Sequence, residues 1–358
     1  MTRNLYLTAT EKGSGKSAVA LGLVDLLLEK VERPGFFRPI INDGPGARDD
    51  LDLIASRYQT KAPKEEMYAF LKSRVIELAA RDEFDRIWEG IIEKYKQLEK
   101  RFDFILCEGT DFSASTSTFE FDINAEIAEV LSSPVLLVAN GHRKNTSEIL
   151  QSIEMSLSSL LDRGCEVVAT LINRVEKAPG DEVLDHLEKM KVTGNQLFYT
   201  LPSDSLLPRP TVREIAEFLD AEVLYGHNLL EQHVFDYVVA AMHLQNMLEY
   251  VQYGSFIIVP GDRVDVVIAA LAAVASRTMP YISGILLTGG FKPEGRVREL
   301  IDGFRSTIPI LSVEEETYPT ARKIEHLPSG ISARDEQKII RALSLFEENV
   351  DGGAILER

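Results

Sequence analysis

Cysteine is scarce in this chain, which has two cysteines among 358 residues, Cys107 and Cys165. Two thiols cannot build a disulfide framework, and neither has the spacing to histidine that is typical of a zinc site. Both lie in apolar, strand-like segments. We therefore expect buried free thiols in a protein of the reducing cytoplasm.

Long hydrophobic runs and an excess of positive charge are missing as well. No apolar run reaches the roughly 18 residues that a membrane-spanning helix needs. The first four residues lead directly into an apolar strand, so we expect no signal peptide. The formal net charge of −17 disfavours nonspecific binding to nucleic acid or to an anionic membrane. We expect neither as a partner.

A glycine-containing turn near the start of the chain is the clearest functional signal. The apolar run over 5–9 predicts a buried strand, and apolar residues at helical spacing follow from Lys16 onward. Gly13 and Gly15 let the backbone point its amide groups at an anion, and the helix start adds a positive dipole end. In a phosphate-binding loop, Lys16 reaches the outer phosphates and the Ser17 hydroxyl binds Mg²⁺. The candidate nucleotide-binding residues here are Thr10, Glu11, Lys12, Gly13, Ser14, Gly15, Lys16 and Ser17.

The loop departs from the usual motif at one position. Thr10 stands where the pattern Gly-x-x-x-x-Gly-Lys-Ser/Thr has its first glycine. Two glycines and a lysine can also form an ordinary strand-to-helix turn. The strand before the loop and the helix after it favour nucleotide binding over that alternative.

Polar residues end several later apolar segments, namely Arg38, Glu108, Asn173 and Arg174. Asp50 lies in an acidic stretch that is either solvated surface, a helix start or a source of Mg²⁺ ligands. Ligands of parallel sheets bind at the carboxyl ends of the strands. We therefore expect these side chains near the phosphate loop, where Asn173 and Arg174 are further candidate nucleotide-binding residues.

Apolar strands alternate with amphipathic helices along the chain. The alternation predicts an α/β fold with a mostly parallel, P-loop NTPase-like sheet and helices on both faces. A fresh alternation begins at Ser255 and predicts a smaller α/β domain.

Four segments together resemble the dethiobiotin synthetase-like family of P-loop proteins: residues 9–17, 37–39, 107–109 and 171–174. Through the segments 124–140 and 201–226, residues 1–226 more specifically resemble the N-terminal domain of long bacterial phosphate acetyltransferases. That resemblance implies binding of ATP, or another nucleoside triphosphate, together with Mg²⁺.

The resemblance also implies roles for single residues. Lys16 and Ser17 would bind the triphosphate and Mg²⁺. Asp50 and Glu108 would complete the metal shell, and Asn173 would contact the base.

Three positions depart from these families. Ala9 replaces the leading glycine of the family motif. Glu11 replaces the signature lysine of related cell-division and nitrogenase-type ATPases, so a lysine reaching across a dimer is not supported. Arg38 replaces a lysine that helps bind substrate or phosphate in dethiobiotin synthetase, which keeps the charge but changes its geometry. Arg38 is thus a candidate substrate or phosphate ligand, and a biotin-pathway substrate is disfavoured.

Two further segments, 260–263 and 287–290, resemble the DRTGG domain that follows the P-loop domain in the same phosphate acetyltransferases. We expect Asp262 to cap the following helix and the two glycines to form a turn. The alternative is a small anion or nucleotide site made of Asp262, Arg263, Gly289 and Gly290.

These resemblances predict three segments: a P-loop domain over 1–226, a docked helical connector over 227–254, and a DRTGG-like domain with a C-terminal helix over 255–358. In the family, acetyl transfer belongs to a third domain, before which this sequence ends. We therefore expect no phosphate acetyltransferase activity from this chain.

Three functions fit the sequence, which names no catalytic residue. The first is a regulatory or sensory ATP-binding protein. Its possible partners are a second copy of the chain, in a homodimer, and a protein target in acetate or acyl-phosphate metabolism. The second is an ATP-dependent, carboxylate-activating enzyme of the dethiobiotin synthetase type, whose substrate-binding candidates are Arg38 and the Ser/Thr-rich segment 113–118. The third is a scaffold with a degenerate loop. The lack of a recognisable substrate site favours the first.

Overall fold

The computed structural model describes residues 3–43, 50–58, 63–110, 117–190, 196–276, 278–304, 307–327 and 330–358. The chain forms two compact units, Met1–Asp204 with Ile331–Arg358 and Ser205–Gly330. Among the helices within those ranges, none is both long and apolar enough to cross a membrane.

The first unit is built on a parallel sheet. Its strands are β1 (Arg3–Ala9), β2 (Pro34–Phe37), β3 (Ile40–Ile41), β4 (Phe70–Leu71), β5 (Phe104–Glu108), β6 (Val135–Asn140), β7 (Val167–Val175) and β8 (Leu197–Pro202). The order in the main sheet is β2-β5-β1-β6-β7-β8 with every pair parallel, and β3 and β4 form a separate parallel pair. The central strands β1, β5 and β6 are apolar runs because both of their faces are buried.

Helices cover both faces of this sheet. The helices before the second unit are α1 (Lys16–Lys30), α2 (Asp50–Tyr58), α3 (Lys72–Ala80), α4 (Phe84–Glu99), α5 (Ser117–Val130), α6 (Thr146–Asp162) and α7 (Lys177–Met190), and residues 64–66 form one 3₁₀ turn. A capping box starts α6, in which Asn145 and Glu148 each accept a hydrogen bond from the other's backbone N–H. The box fixes the end of the loop that follows β6.

The second unit has its own sheet. Its elements are α8 (Val212–Leu219), β9 (Glu222–Tyr225), β10 (Asp236–Val239), α9 (Leu244–Leu248), β11 (Ser255–Pro260), α10 (Val264–Ala275), β12 (Ile282–Thr288), α11 (Gly295–Asp302), β13 (Ile310–Ser312) and α12 (Thr317–Ile324). The order is β10-β11-β12-β13-β9, and only the β13–β9 pair is antiparallel. Successive residues of β11 join two different hydrophobic clusters, so both faces of this sheet are packed.

The segment predicted as a helical connector, 227–254, contains a 3₁₀ turn over His227–Leu229, the strand β10 and the short helix α9. Within β10, Val238 is buried and Val239 is 43% exposed. This alternation has the period of a strand, and the sequence Asp-Tyr-Val-Val is rich in residues that favour strands. The prediction of a helix over this part of the connector was therefore wrong.

The predicted domain borders at 226 and 255 also differ from the compact units. Helix α8 and strand β9 belong to the second unit. The C-terminal helices, α13 (Glu336–Asn349) and α14 (Gly352–Leu356), belong to the first unit instead of the second. Their apolar residues pack on α1, where Phe346 faces Gly22. Because α1 is part of the first unit, this packing places the C-terminal helices in the first unit.

The fold class predicted from the sequence is confirmed. The first unit has a mostly parallel sheet with helices on both sides, and a smaller α/β unit follows.

Candidate functional site

The predicted phosphate loop lies between β1 and α1, at the carboxyl edge of the sheet. Gly13 and Gly15 have φ angles of 78° and 85°. These values lie in the left-handed region, which glycine adopts without the strain that a Cβ atom causes. Gly15 is the N-cap residue of α1 and has no side chain that could occupy the first amide groups of the helix. The loop thus has the backbone geometry of an anion site.

The end of β7 supports this loop from one side. The Asn173 Nδ2 atom donates to the Ser14 carbonyl oxygen at 2.8 Å, and the Ser14 hydroxyl donates to the Glu11 carbonyl oxygen at 2.7 Å. A Cβ atom on Gly15 would lie 2.2 Å from Asn173 Nδ2. Asn173 Oδ1 accepts from the Arg174 N–H at 2.9 Å. Asn173 therefore positions the loop backbone, and its contact with a base stays a prediction.

The end of β6 holds the loop from the neighbouring strand. Asn140 Nδ2 donates to Glu11 Oε1 at 2.6 Å, and Lys144 Nζ lies 2.9 Å from the same oxygen. Sequence reasoning did not select Asn140 or Lys144. Asn140 pairs with Asn173 in the β6–β7 register, so the shared position at two strand ends was the signal that could have identified it.

The cationic and hydroxyl side chains of the loop differ in exposure. Lys16 is buried, Ser17 is half-buried and Lys12 is exposed. The Thr10 Oγ1 atom is buried, with no hydrogen-bond partner among the residues described above. Thr10 also continues the β1–β6 pairing, because its N–H donates to the Val138 carbonyl oxygen at 3.0 Å. A buried lysine at the first residue of a helix and an orphaned hydroxyl in the same loop fit a bound phosphate group.

Arg38 and Glu108 meet in the interior of the site. Arg38 follows β2 and Glu108 ends β5, the strand between β2 and β1. The Nη1 atom of Arg38 lies 3.8 Å from Glu108 Oε1, and both side chains are buried. The parallel strands thus bring together the cation and the carboxylate that the sequence placed at two strand ends.

The predicted magnesium ligands are only partly described. Ser17 and Glu108 lie in the first unit as set out above, while the Asp50 side chain is outside the described part of the chain, although Asp50 begins α2. Most of the Ser/Thr-rich segment, residues 113–116, is outside it as well. Across the described ranges, no group of three or more His, Cys, Asp or Glu side chains could hold a metal ion. A hydroxyl and a carboxylate oxygen are nevertheless ligands of the kind that Mg²⁺ takes.

Arg174 adds a cation at the rim of the loop. Its φ is 59°, a conformation that is uncommon outside glycine. Its Nε atom lies 3.8 Å from the position that a Cβ atom on Gly15 would take. Burial lowers the pKa of Arg174. Burial, followed by the charges of Arg143 and Arg174, lowers the pKa of His142. Positive charge therefore gathers at this edge of an otherwise acidic chain.

The residues predicted for a site in the second unit lie on two adjacent loops. Asp262 and Arg263 follow β11, while Gly289 and Gly290 follow β12 with φ angles of 80° and 73°. The two glycines form the predicted turn. Arg263 donates to both carboxylate oxygens of Asp265 at 2.9 Å.

The cap predicted for α10 was wrong. The N-cap residue of α10 is Arg263, not Asp262, and the helix has no side-chain cap. The acidic residue of the first turn is Asp265, whose pKa is lowered mainly by its hydrogen bond from Arg263. Asp262 therefore does not cap α10, and Asp265 places a negative charge in the first turn of the helix.

A parallel sheet whose first strand leads into the first helix through a loop that ends in Gly-Lys-Ser has the arrangement of the P-loop class of proteins. The chain belongs to the AAA domain family, whose family model matches residues 3–226. The DRTGG domain matches residues 214–327.

The curated relatives include phosphate acetyltransferases. The chain is 42% identical to the phosphate acetyltransferase of Nitratidesulfovibrio vulgaris over 364 aligned residues, which cover 100% of the chain and 52% of the relative. It is 35% identical to the phosphate acetyltransferase of Synechocystis sp. over 99% of the chain and 52% of the relative. The chain spans about half the length of the relatives it matches. The resemblance to the N-terminal part of phosphate acetyltransferases is confirmed.

Solved structures share less with the chain. The CBS and DRTGG domains of Clostridium perfringens pyrophosphatase, complexed with the activator diadenosine tetraphosphate, are 16% identical with a TM-score of 0.26, over 49% of this chain and 70% of that one. McdA of Cyanothece, in a complex with ATP, is 13% identical with a TM-score of 0.36, over 57% of this chain and 84% of that one. The sheet and the loop described above, rather than these likenesses, define the fold.

Proposed function

We propose that this chain binds a nucleoside triphosphate, ATP or another, at the loop 10–17 and acts as a regulatory or sensory protein. One observation carries the proposal. The loop enters α1 through the left-handed Gly15, has the buried Lys16 as the first residue of that helix, and is held by Asn173 at 2.8 Å. Fixed amide groups and a cation at a helix start are what a polyphosphate needs.

Mg²⁺ belongs to the same proposal. Ser17, Asp50 and Glu108 would hold the ion, which would offset the negative charge of the bound phosphates. Arg174 and Asn173 lie on the opposite side of the loop from Glu108, across the strand order β5-β1-β6-β7. In this arrangement, the metal would lie on the β5 side and the rest of the nucleotide on the β7 side.

The burial of Arg38 next to Glu108 favours a regulatory function over an enzyme that activates a carboxylate. Arg38 was the main candidate for holding a substrate carboxylate, yet it is buried and lies 3.8 Å from Glu108. A substrate anion would have to compete with a buried internal partner, and breaking such a pair is costly. The second unit, with Arg263 and the Gly289-Gly290 turn, would relay occupancy of the loop to another subunit or to a protein target in acetate or acyl-phosphate metabolism.

The test is calorimetric titration of the protein with ATP and GTP in the presence of Mg²⁺, with Lys16→Ala as the comparison. We expect binding by the natural sequence. Loss of a charge-assisted contact of about 1.5–3 kcal/mol would weaken binding about 10- to 150-fold in Lys16→Ala. No heat of binding for any nucleotide would refute the proposal.

Turnover separates the two functions. If the chain only senses the nucleotide, the natural sequence should release negligible phosphate from ATP on the time scale of binding. Appreciable hydrolysis or transfer that vanishes in Lys16→Ala would instead support the enzyme. Formation of acetyl phosphate at a meaningful rate would contradict the expectation that this half of the relatives carries no acetyl transfer.

A further inference from the structure

Glu11 adds a negative charge to a loop that we propose binds a polyanion. The side chain is half-buried, with 39% of its surface exposed, so water screens it only in part. An uncompensated carboxylate at this position would repel the incoming phosphates. Neutralisation of Glu11 by the structure therefore favours nucleotide binding.

The loop after β6 supplies that neutralisation. Glu11 Oε1 receives the Asn140 amide at 2.6 Å and lies 2.9 Å from Lys144 Nζ. The Lys144 side chain is 22% exposed and is therefore less hydrated than a surface lysine. A neutral donor and a cation thus meet on one carboxylate oxygen.

Backbone contacts fix the position of Lys144. The Gly141 N–H donates to the Asn173 carbonyl oxygen at 2.8 Å, and the His142 N–H donates to Asn140 Oδ1 at 3.1 Å. A Cβ atom on Gly141 would lie 2.8 Å from Val175 Cβ, so the β6 and β7 backbones approach closely here. The capping box of α6 holds the residue after Lys144. The backbone of Lys144 therefore lies in a constrained loop, which limits the positions that its ammonium group can take.

We propose that Lys144 is a positioning residue of the nucleotide site, where it acts as the counter-charge of Glu11 and not as a ligand of the phosphates. The inference rests on the proposed function, because it concerns the same site. It identifies a contribution from outside the phosphate loop: the β6–α6 loop supplies the cation that offsets a negative charge within the phosphate loop.

A double-substitution cycle tests this role by calorimetric titration with Mg-ATP. Lys144→Met should weaken binding about 10-fold, because it leaves the Glu11 carboxylate beside the phosphates without its cation. Glu11→Gln should bind as tightly as the natural sequence or more tightly. The double variant Glu11→Gln/Lys144→Met should bind within about 2-fold of Glu11→Gln, since the charge that Lys144 offsets is gone. Lys96→Met, which removes the same charge from an exposed position on α4, should leave binding unchanged.

The outcomes separate the two proposals. Equal affinity of Lys144→Met and the natural sequence would overturn the role of Lys144 while leaving nucleotide binding intact. A double variant as weak as Lys144→Met would also overturn it, because Lys144 would then contact the phosphates itself. No binding by the natural sequence would overturn the proposed function and this inference with it. If Lys144→Met fails to fold, Lys144→Gln, which also removes the charge, takes its place in the same cycle.

Discussion

Replacing Gly15 with alanine is expected to abolish measurable nucleotide binding and to lower the free energy of unfolding of the first unit by about 2–5 kcal/mol. Two costs add. The φ of 85° places an alanine in the left-handed region, at about 1–2 kcal/mol. The new Cβ atom would also lie 2.2 Å from Asn173 Nδ2, and such overpacking costs about 1–3 kcal/mol. Moving Asn173 away would break its hydrogen bond to Ser14, so the loop would lose its support from β7.

Gly13 provides a matched control for this prediction. Its φ of 78° makes Gly13→Ala strained in the same way, but no described atom lies within 4 Å of the position of its Cβ atom. We expect only the strain, about 1–2 kcal/mol. Urea unfolding followed by the fluorescence of Trp88, the single tryptophan and a residue of α4 in the first unit, measures both variants. Equal costs for the two alanines would show that Asn173 does not pack closely against Gly15.

The contrast between Gly13 and Gly15 shows what the sequence could and could not predict. Both glycines, Lys16 and Ser17 are neighbours along the chain, so local patterns predicted the loop and the helix after it. The contacts of Lys144 and Asn140 with Glu11 depend on strand order and register, which place residues more than a hundred positions apart side by side. The pattern of a single sequence does not show which distant residues come into contact.

The errors outside the site have a similar origin. Apolar spacing showed that 234–248 and the C-terminal helix each bury a face, but not which surface covers it. In the connector, a strand and a short helix bury Val238 and Met247, although one long helix would match the same apolar residues. For the C-terminal segment, proximity in sequence suggested the second unit, whereas its packing partners lie on α1.

Helix α13 follows the second unit in sequence but packs on α1 of the first unit. Phe346 is 3% exposed, and a Cβ atom on Gly22 of α1 would lie 2.3 Å from its Cγ atom. Arg341 on the same helix pairs with the largely buried Asp204 at 2.7 Å, and Asp204 is the last residue before the second unit. Since α1 carries Lys16 at its start, α13 packs on the helix that presents the proposed phosphate site.

Phe346→Ala should lower the free energy of unfolding of the first unit by about 3–5 kcal/mol, because it removes a buried aromatic ring and leaves a cavity against α1. Ile340→Ala, a truncation at a 57% exposed position on the same helix, should cost well under half as much. Trp88 fluorescence in urea reports both.

The identity of the partner surface can be tested with Gly22→Ala. In the natural sequence this change should destabilise the first unit by about 1–3 kcal/mol, since the methyl group would collide with the Phe346 ring. In the Phe346→Ala background the same change should cost nothing or stabilise, because the space is open and alanine favours the helix by about 1 kcal/mol over glycine. Additive costs would mean that α13 does not pack on α1. A positive result would make α13 a structural support of the helix that begins at Lys16, and would explain why the chain returns to the first unit after the second.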